Sequence, residues 1–148
     1  MEQVEQELIP WLGRTSKKIS LFMSEKFREN NLDLTKIQWL MLKKLCQKDG
    51  QMQKELAFLT DRDKASLARL VATMERKGFI TRVPVENDKR ARQIFLTEKG
   101  RAVFQESIPV VKEFIKELQK GIAQEELNLL INTLKKIQHN INQFQCNG

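Results

Sequence analysis

Apolar residues recur at helical spacing along most of this chain. Leu8, Leu12, Ile19, Phe22, Met23 and Phe27 line one face of a helix expected from Val4 to Asn30, with Pro10 near its start. The polar stretch NNLDLT breaks the pattern, and Thr35 is a good N-cap for a second helix, Lys36 to Gln47. Ile37, Leu40, Met41 and Leu45 form its apolar face. Trp39, Leu42 and Cys46 widen that face, which predicts burial on more than one side. Asp49-Gly50 closes the helix. A short helix, about Gln53 to Leu59, then points Leu56 and Leu59 inward. Thr60 to Asp63 form a turn, and either Asp61 or Asp63 can cap the next helix, Lys64 to Lys77, which Gly78 ends.

The period then changes. Ile80 to Val83 and Arg92 to Leu96 have strand composition, with Glu86, Asn87 and Asp88 as the turn and Pro84 at a strand end. Thr97 caps a helix expected from Glu98 to Lys120. Its apolar side is Val103, Ile108, Val111, Phe114, Ile115 and Leu118, and Pro109 predicts a kink. After Gly121, a last helix from Gln124 to Phe144 carries Leu127, Leu130, Ile131, Leu134, Ile137, Ile141 and Phe144 close to heptad spacing. The fold class is therefore mainly α with a small β-hairpin.

Composition narrows the function. The chain has 148 residues, 41% hydrophobic and 30% charged, enough for one domain or a compact two-part unit. Its net charge of +7 and isoelectric point near 9.5 favour polyanionic partners. No apolar run is long enough to span a membrane, and the start MEQVEQELIPWLG lacks the features of a signal peptide, so a cytoplasmic protein is expected. Cys46 and Cys146 have no zinc or CxxC spacing, and neither a metal nor a cofactor is expected. Cys46 reads as a core residue and Cys146 as exposed. The only histidine, His139, has no nucleophile near it in sequence, no glycine-rich phosphate loop occurs, and the carboxylates are scattered. An enzyme is not expected.

Placement of the charge points to DNA. On the Lys64–Lys77 helix, Leu67, Leu70, Val71 and Met74 share one side, while Ser66, Arg69, Thr73 and Arg76 fall opposite. Arginine can donate two hydrogen bonds to guanine, and short hydroxyls can meet bases or phosphates at close approach. Ala65 and Ala72 would not hold such a helix away from a groove. The hairpin tip carries Asp88, Lys89, Arg90 and Arg92, and a long arginine on a narrow tip can enter the minor groove. Asp88 is expected to orient Arg90 through a salt bridge.

The segment LTDRDKASLARLVATMERKGFITRVPVENDKRARQIFLTEKG resembles the winged helix-turn-helix of MarR-type bacterial transcriptional regulators. The resemblance rests on Asp88-x-Arg90 in the wing, on Leu96-Thr97-x-x-Gly100, and on the turn Lys77 to Ile80. It implies a winged helix-turn-helix at 35–97, flanked by helical dimerisation regions at 1–34 and 98–148. It also implies a homodimer on a pseudo-palindromic operator in double-stranded DNA, acting as a ligand-responsive repressor. Carried onto this sequence, Ser66 and Arg69 fall in the recognition helix and Arg90 in the minor groove. Arg62, Lys64, Arg76 and Lys77 are placed to meet phosphates. Relatives bind small aromatic or lipophilic acids in a cleft that Trp11, Phe22, Met23 and Trp39 could line here. The first helix lacks the reactive cysteine of the peroxide-sensing branch, and Ala123 stands where many relatives have a Thr or Ser cap. The alternative reading is a winged-helix protein-interaction module without specific DNA binding.

Overall fold

A computed structural model of the chain describes residues 2–147. The order is α1 (Glu2–Glu29), α2 (Lys36–Gln47), β1 (Gln51–Met52), a 3-10 segment (Gln53–Thr60) and α3 (Lys64–Arg76). Then come β2 (Ile80–Val85), β3 (Asp88–Leu96), α4 (Glu98–Leu118) and α5 (Gln124–Asn147). The chain is mainly helical, as its periodicity predicts. Three features depart from the sequence reading. The hairpin is part of a three-stranded antiparallel sheet, β1-β3-β2, because Gln51 and Met52 pair with Ile94 and Gln93. The short helix before α3 is 3-10, not α. The second hairpin strand begins at Asp88, which leaves Glu86-Asn87 as a two-residue turn with Asn87 at φ 66°.

Local signals fix the helix ends. Thr35 Oγ1 accepts the Gln38 amide at 3.3 Å while Gln38 Oε1 accepts the Thr35 amide at 3.2 Å, a reciprocal capping box for α2. Of the two candidate aspartates, Asp63 caps α3: its carboxylate accepts the Ala65 amide at 3.2 Å. Asp61 and Arg62 instead make the turn, both in left-handed backbone at φ 51° and 64°. At the other end of α3, Gly78 takes φ 81° so that its amide reaches Glu75 O at 2.9 Å and the Phe79 amide reaches Met74 O at 3.0 Å. That pair of bonds is the Schellman closure, and a residue with a Cβ would be strained in it.

The Leu-Thr-x-x-Gly motif joins α4 to the end of α3. Thr97 Oγ1 accepts the Gly100 amide at 3.0 Å, capping α4, and donates to Gly78 O at 2.5 Å. The contact is close enough that a Cβ on Gly100 would lie 2.1 Å from the Phe79 carbonyl oxygen. Both Pro10 and Pro109 lie inside helices that continue past them.

The chain up to Phe114 forms one compact unit. Its core gathers Phe27 of α1, Met41, Leu42 and Leu45 of α2, Leu56 of the 3-10 segment, Val71 and Met74 of α3, and Ile94 of β3, all fully buried. Val111 and Phe114 of α4 join the same cluster. The apolar stripe of α1 divides along its length: Met23 and Phe27 are buried, whereas Leu8, Trp11 and Leu12 lie exposed. From Ile115 onward a second unit follows, in which α5 exposes Leu130, Ile131, Ile141 and Phe144. Cys46 is half-buried at the core edge, and desolvation pushes its thiol up in pKa against the opposing pull of Arg101. Cys146 is exposed.

Candidate nucleic-acid interface

The net charge is confined to the middle of the chain. Residues 35–97 hold 14 lysines and arginines against seven aspartates and glutamates, while the rest holds 12 of each. The whole excess of +7 therefore belongs to the span from α2 through the sheet, its turns included.

α3 presents the expected stripe. Its apolar side, Leu67, Leu70, Val71 and Met74, is buried, and Ala65, Ala72, Arg69 and Arg76 are exposed. Ser66 and Thr73 are only partly exposed. Ser66 is not a free hydroxyl. It donates to Asp63 Oδ2 at 2.5 Å and accepts from Arg69 Nη2 at 3.0 Å. The Ser66 bond holds the Asp63 carboxyl below the usual carboxylate range.

Lys77 stands apart from this stripe. Its ammonium donates to Asp33 Oδ1 and Asp33 O, both at 3.1 Å, and to Gln38 Oε1 at 2.9 Å. All three protons are satisfied by the α1–α2 loop and the α2 cap. The sequence reading places Lys77 to meet phosphate; in the structure its ammonium ties the end of α3 to partners about forty residues away.

The wing owes its shape to a break in register. Pro84 pairs with Arg92, but Val85, one residue on, pairs with Asp88, so Lys89, Arg90 and Ala91 bulge out of the ladder. β2 is an edge strand, which is where Pro84 is tolerated. Asp88 Oδ1 accepts the Arg90 backbone amide at 3.0 Å. This corrects the expected salt bridge: among the described residues, Asp88 holds the main chain of Arg90 and leaves its guanidinium exposed. Arg92 folds back to donate to Lys89 O at 3.0 Å and Ala91 O at 2.9 Å, closing the bulge from inside. Arg92 shapes the tip; Arg90 projects from it.

An open cleft of about 750 Å³ separates the wing from the start of α3. Lys54, Arg62, Lys64, Arg82, Arg90 and Arg92 line it, with Asp88 the only carboxylate. Arg62 and Lys64 thus line the same cleft as the wing residues Arg90 and Arg92. Lys54 and Arg82 were not singled out by sequence. Arg82 also binds Glu75 through Nε at 3.3 Å and Nη2 at 3.0 Å, tying β2 to α3 and lowering the Glu75 carboxyl pKa. A signal existed for Arg82: it follows Ile80 by two positions in a strand whose Ile80 is buried.

Each of the four residues suggested for an effector has its own surroundings in the structure. Met23 is buried, Phe22 packs on Phe114 with ring centres 5.3 Å apart, and Trp39 packs on Phe104 at 5.9 Å. The Trp39 indole N–H donates to the buried Ser107 hydroxyl at 2.9 Å. Trp11 is 59% exposed and contacts Glu7 and Arg14 of its own helix. Among the described residues no cluster of His, Cys, Asp or Glu could hold a metal.

Residues 34–91 match the MarR family. Similar solved structures include a cysteine-to-serine variant of MarR from E. coli complexed with operator DNA. It is 26% identical with a TM-score of 0.79, covering 88% of this chain and 92% of that one. A MarR family regulator from Listeria monocytogenes complexed with a 26-mer DNA is also 26% identical, with a TM-score of 0.76, covering 90% and 88%. The fold is shared further with a MarR protein from Peptoclostridium difficile, 21% identical with a TM-score of 0.79, covering 93% and 88%.

Proposed function

We propose, from the premise that this chain carries a MarR-family winged helix-turn-helix, that it is a DNA-binding transcriptional regulator which works as a homodimeric repressor on a pseudo-palindromic operator. The observation that carries this reading is the confinement of the entire +7 charge to the segment that forms the helix-turn-helix and wing. In this reading α3 enters the major groove, with Arg69 reading a base and Ser66, Thr73 and Arg76 along the same approach. Arg90, held out by the bulge, reaches the minor groove. Arg62 and Lys64 meet phosphates on the wall of the cleft. Similarity to two proteins solved with DNA, each at 26% identity, supports the assignment. Release by a small aromatic or lipophilic effector would require the Phe22–Phe114 and Trp39–Phe104 contacts to open, which shifts α1 and α4 against α2.

Anisotropy titration tests it, using duplex from upstream of the protein's own gene and a shuffled control across a salt series around 0.15 M. The native duplex should bind tightly at this salt and the shuffled one should not. Arg90→Ala should weaken binding markedly with the fold intact. Arg69→Ala should cost about 1–3 kcal/mol and relax base preference at one position. Equal binding to both duplexes, lost together as salt rises, would sink the regulator reading and favour a protein-interaction module.

A further inference from the structure

Asp63 is electrostatically out of place. It caps the helix proposed to enter a groove, its side chain is exposed, and a negative charge there repels phosphate. Capping alone does not explain the choice, because asparagine or serine caps a helix about as well without the charge. The structure gives the carboxylate a second use. One oxygen takes the Ala65 amide; the other takes the Ser66 hydroxyl at 2.5 Å. Ser66 Oγ in turn accepts from Arg69 Nη2 at 3.0 Å. A hydroxyl has one proton, and this one is spent on Asp63, so Ser66 faces Arg69 as an acceptor. The guanidinium is gripped at one nitrogen and keeps its remaining donors for a partner. A free arginine must give up rotamer freedom when it binds, whereas one already held loses less.

We propose that Asp63 is a positioning residue which acts through Ser66 to preset Arg69 for base reading, lowering general affinity for DNA while raising selectivity. The proposal rests on the regulator reading above and deepens it. The relay makes Asp63 and Ser66 matter for which sequence is bound more than for how tightly any duplex is bound.

The test uses the full-length protein and a duplex that the parent protein selects from a random-sequence library. That duplex, a single-base variant at the position where Arg69→Ala relaxes preference, and a shuffled duplex are titrated against each protein. Asp63→Asn keeps a good cap and should bind the shuffled duplex at least as tightly as the parent. Its preference for the selected base should fall about five- to tenfold. Ser66→Ala leaves the cap bond untouched and should lose the same preference, and Ser66→Thr should restore it. In an Arg69→Ala background, Asp63→Asn should change base preference no further. A merely structural role would weaken all three duplexes in parallel and lower the melting temperature. The proposal is overturned by an unchanged base preference in both Asp63→Asn and Ser66→Ala, or by an undiminished effect of Asp63→Asn without Arg69. A parent protein that selects no duplex overturns the regulator reading as well, and the parent selection alone distinguishes that case.

Discussion

Gly100 shows how a single hydrogen atom can set the geometry of a lobe. The first turn of α4 lies so close to the chain leaving α3 that a methyl group at this position would meet the Phe79 carbonyl oxygen at 2.1 Å, and that obstacle is backbone. Gly100→Ala should therefore destabilise the protein by about 2–4 kcal/mol, read as a lowered urea midpoint at constant m-value. Gly13→Ala is the control. Nothing lies within 4 Å of its added Cβ inside α1, so the helix should gain about 0.5–1 kcal/mol. Equal effects at the two positions would mean that the close approach at Gly100 does not limit packing. At this scale the sequence was informative about which residues matter and less so about what they do. Arg90 and Arg92 look alike on a basic hairpin. Their difference arises only when Arg92 finds the Lys89 and Ala91 carbonyls, a geometry that depends on the bulge.

Elements with strong punctuation were legible before the structure. Thr35 and Thr97 begin helices, Gly78 ends one, and the 3.6-residue period between them needs no tertiary context, whereas the choice of Asp63 over Asp61 as the α3 cap came only with the structure. β1 was not legible, because two residues become a strand only by pairing with β3, some forty positions later in the chain. Register was equally hidden. The bulge of Lys89, Arg90 and Ala91 opens between the Pro84–Arg92 and Val85–Asp88 pairs, and the alternation of residues along the strands does not reveal where it falls. The end of α3 is the clearest case of a role assigned across the fold. Lys77 sits next to the basic stripe in sequence yet is tied to Asp33 and Gln38. Lys77→Met should cost about 1–2 kcal/mol of stability. At low protein occupancy it should leave the slope of log affinity against log salt unchanged, because no phosphate contact is lost. A slope shallower by about one would return Lys77 to the DNA contacts.

For the molecule as a whole, the exposed apolar faces outside the charged lobe ask for a partner. Ile9 is 80% exposed and Phe144 81%, with Trp11, Leu130 and Ile131 also open to solvent. Scattered apolar residues are ordinary on a surface, but long helical stripes of them are not. In solution the chain should sediment at twice its 17.4 kDa, and Phe144→Glu with Ile131→Glu should shift it toward the monomer. A monomeric parent at micromolar concentration would remove the homodimer from the proposed function.

Gln38 carries a further consequence. Its carbonyl oxygen serves the first turn of α2 and the last residue after α3 at once, through Thr35 and Lys77. Two helix ends that share one acceptor cannot fray independently. The start of α2 and the close of α3 should therefore belong to a single cooperative opening unit, and native-state hydrogen exchange should report one common free energy for amides at both ends. Gln38→Ala should lower the protection of both together, although only one of them borders the substituted residue. Protection lost at α2 alone would show that the two ends open separately.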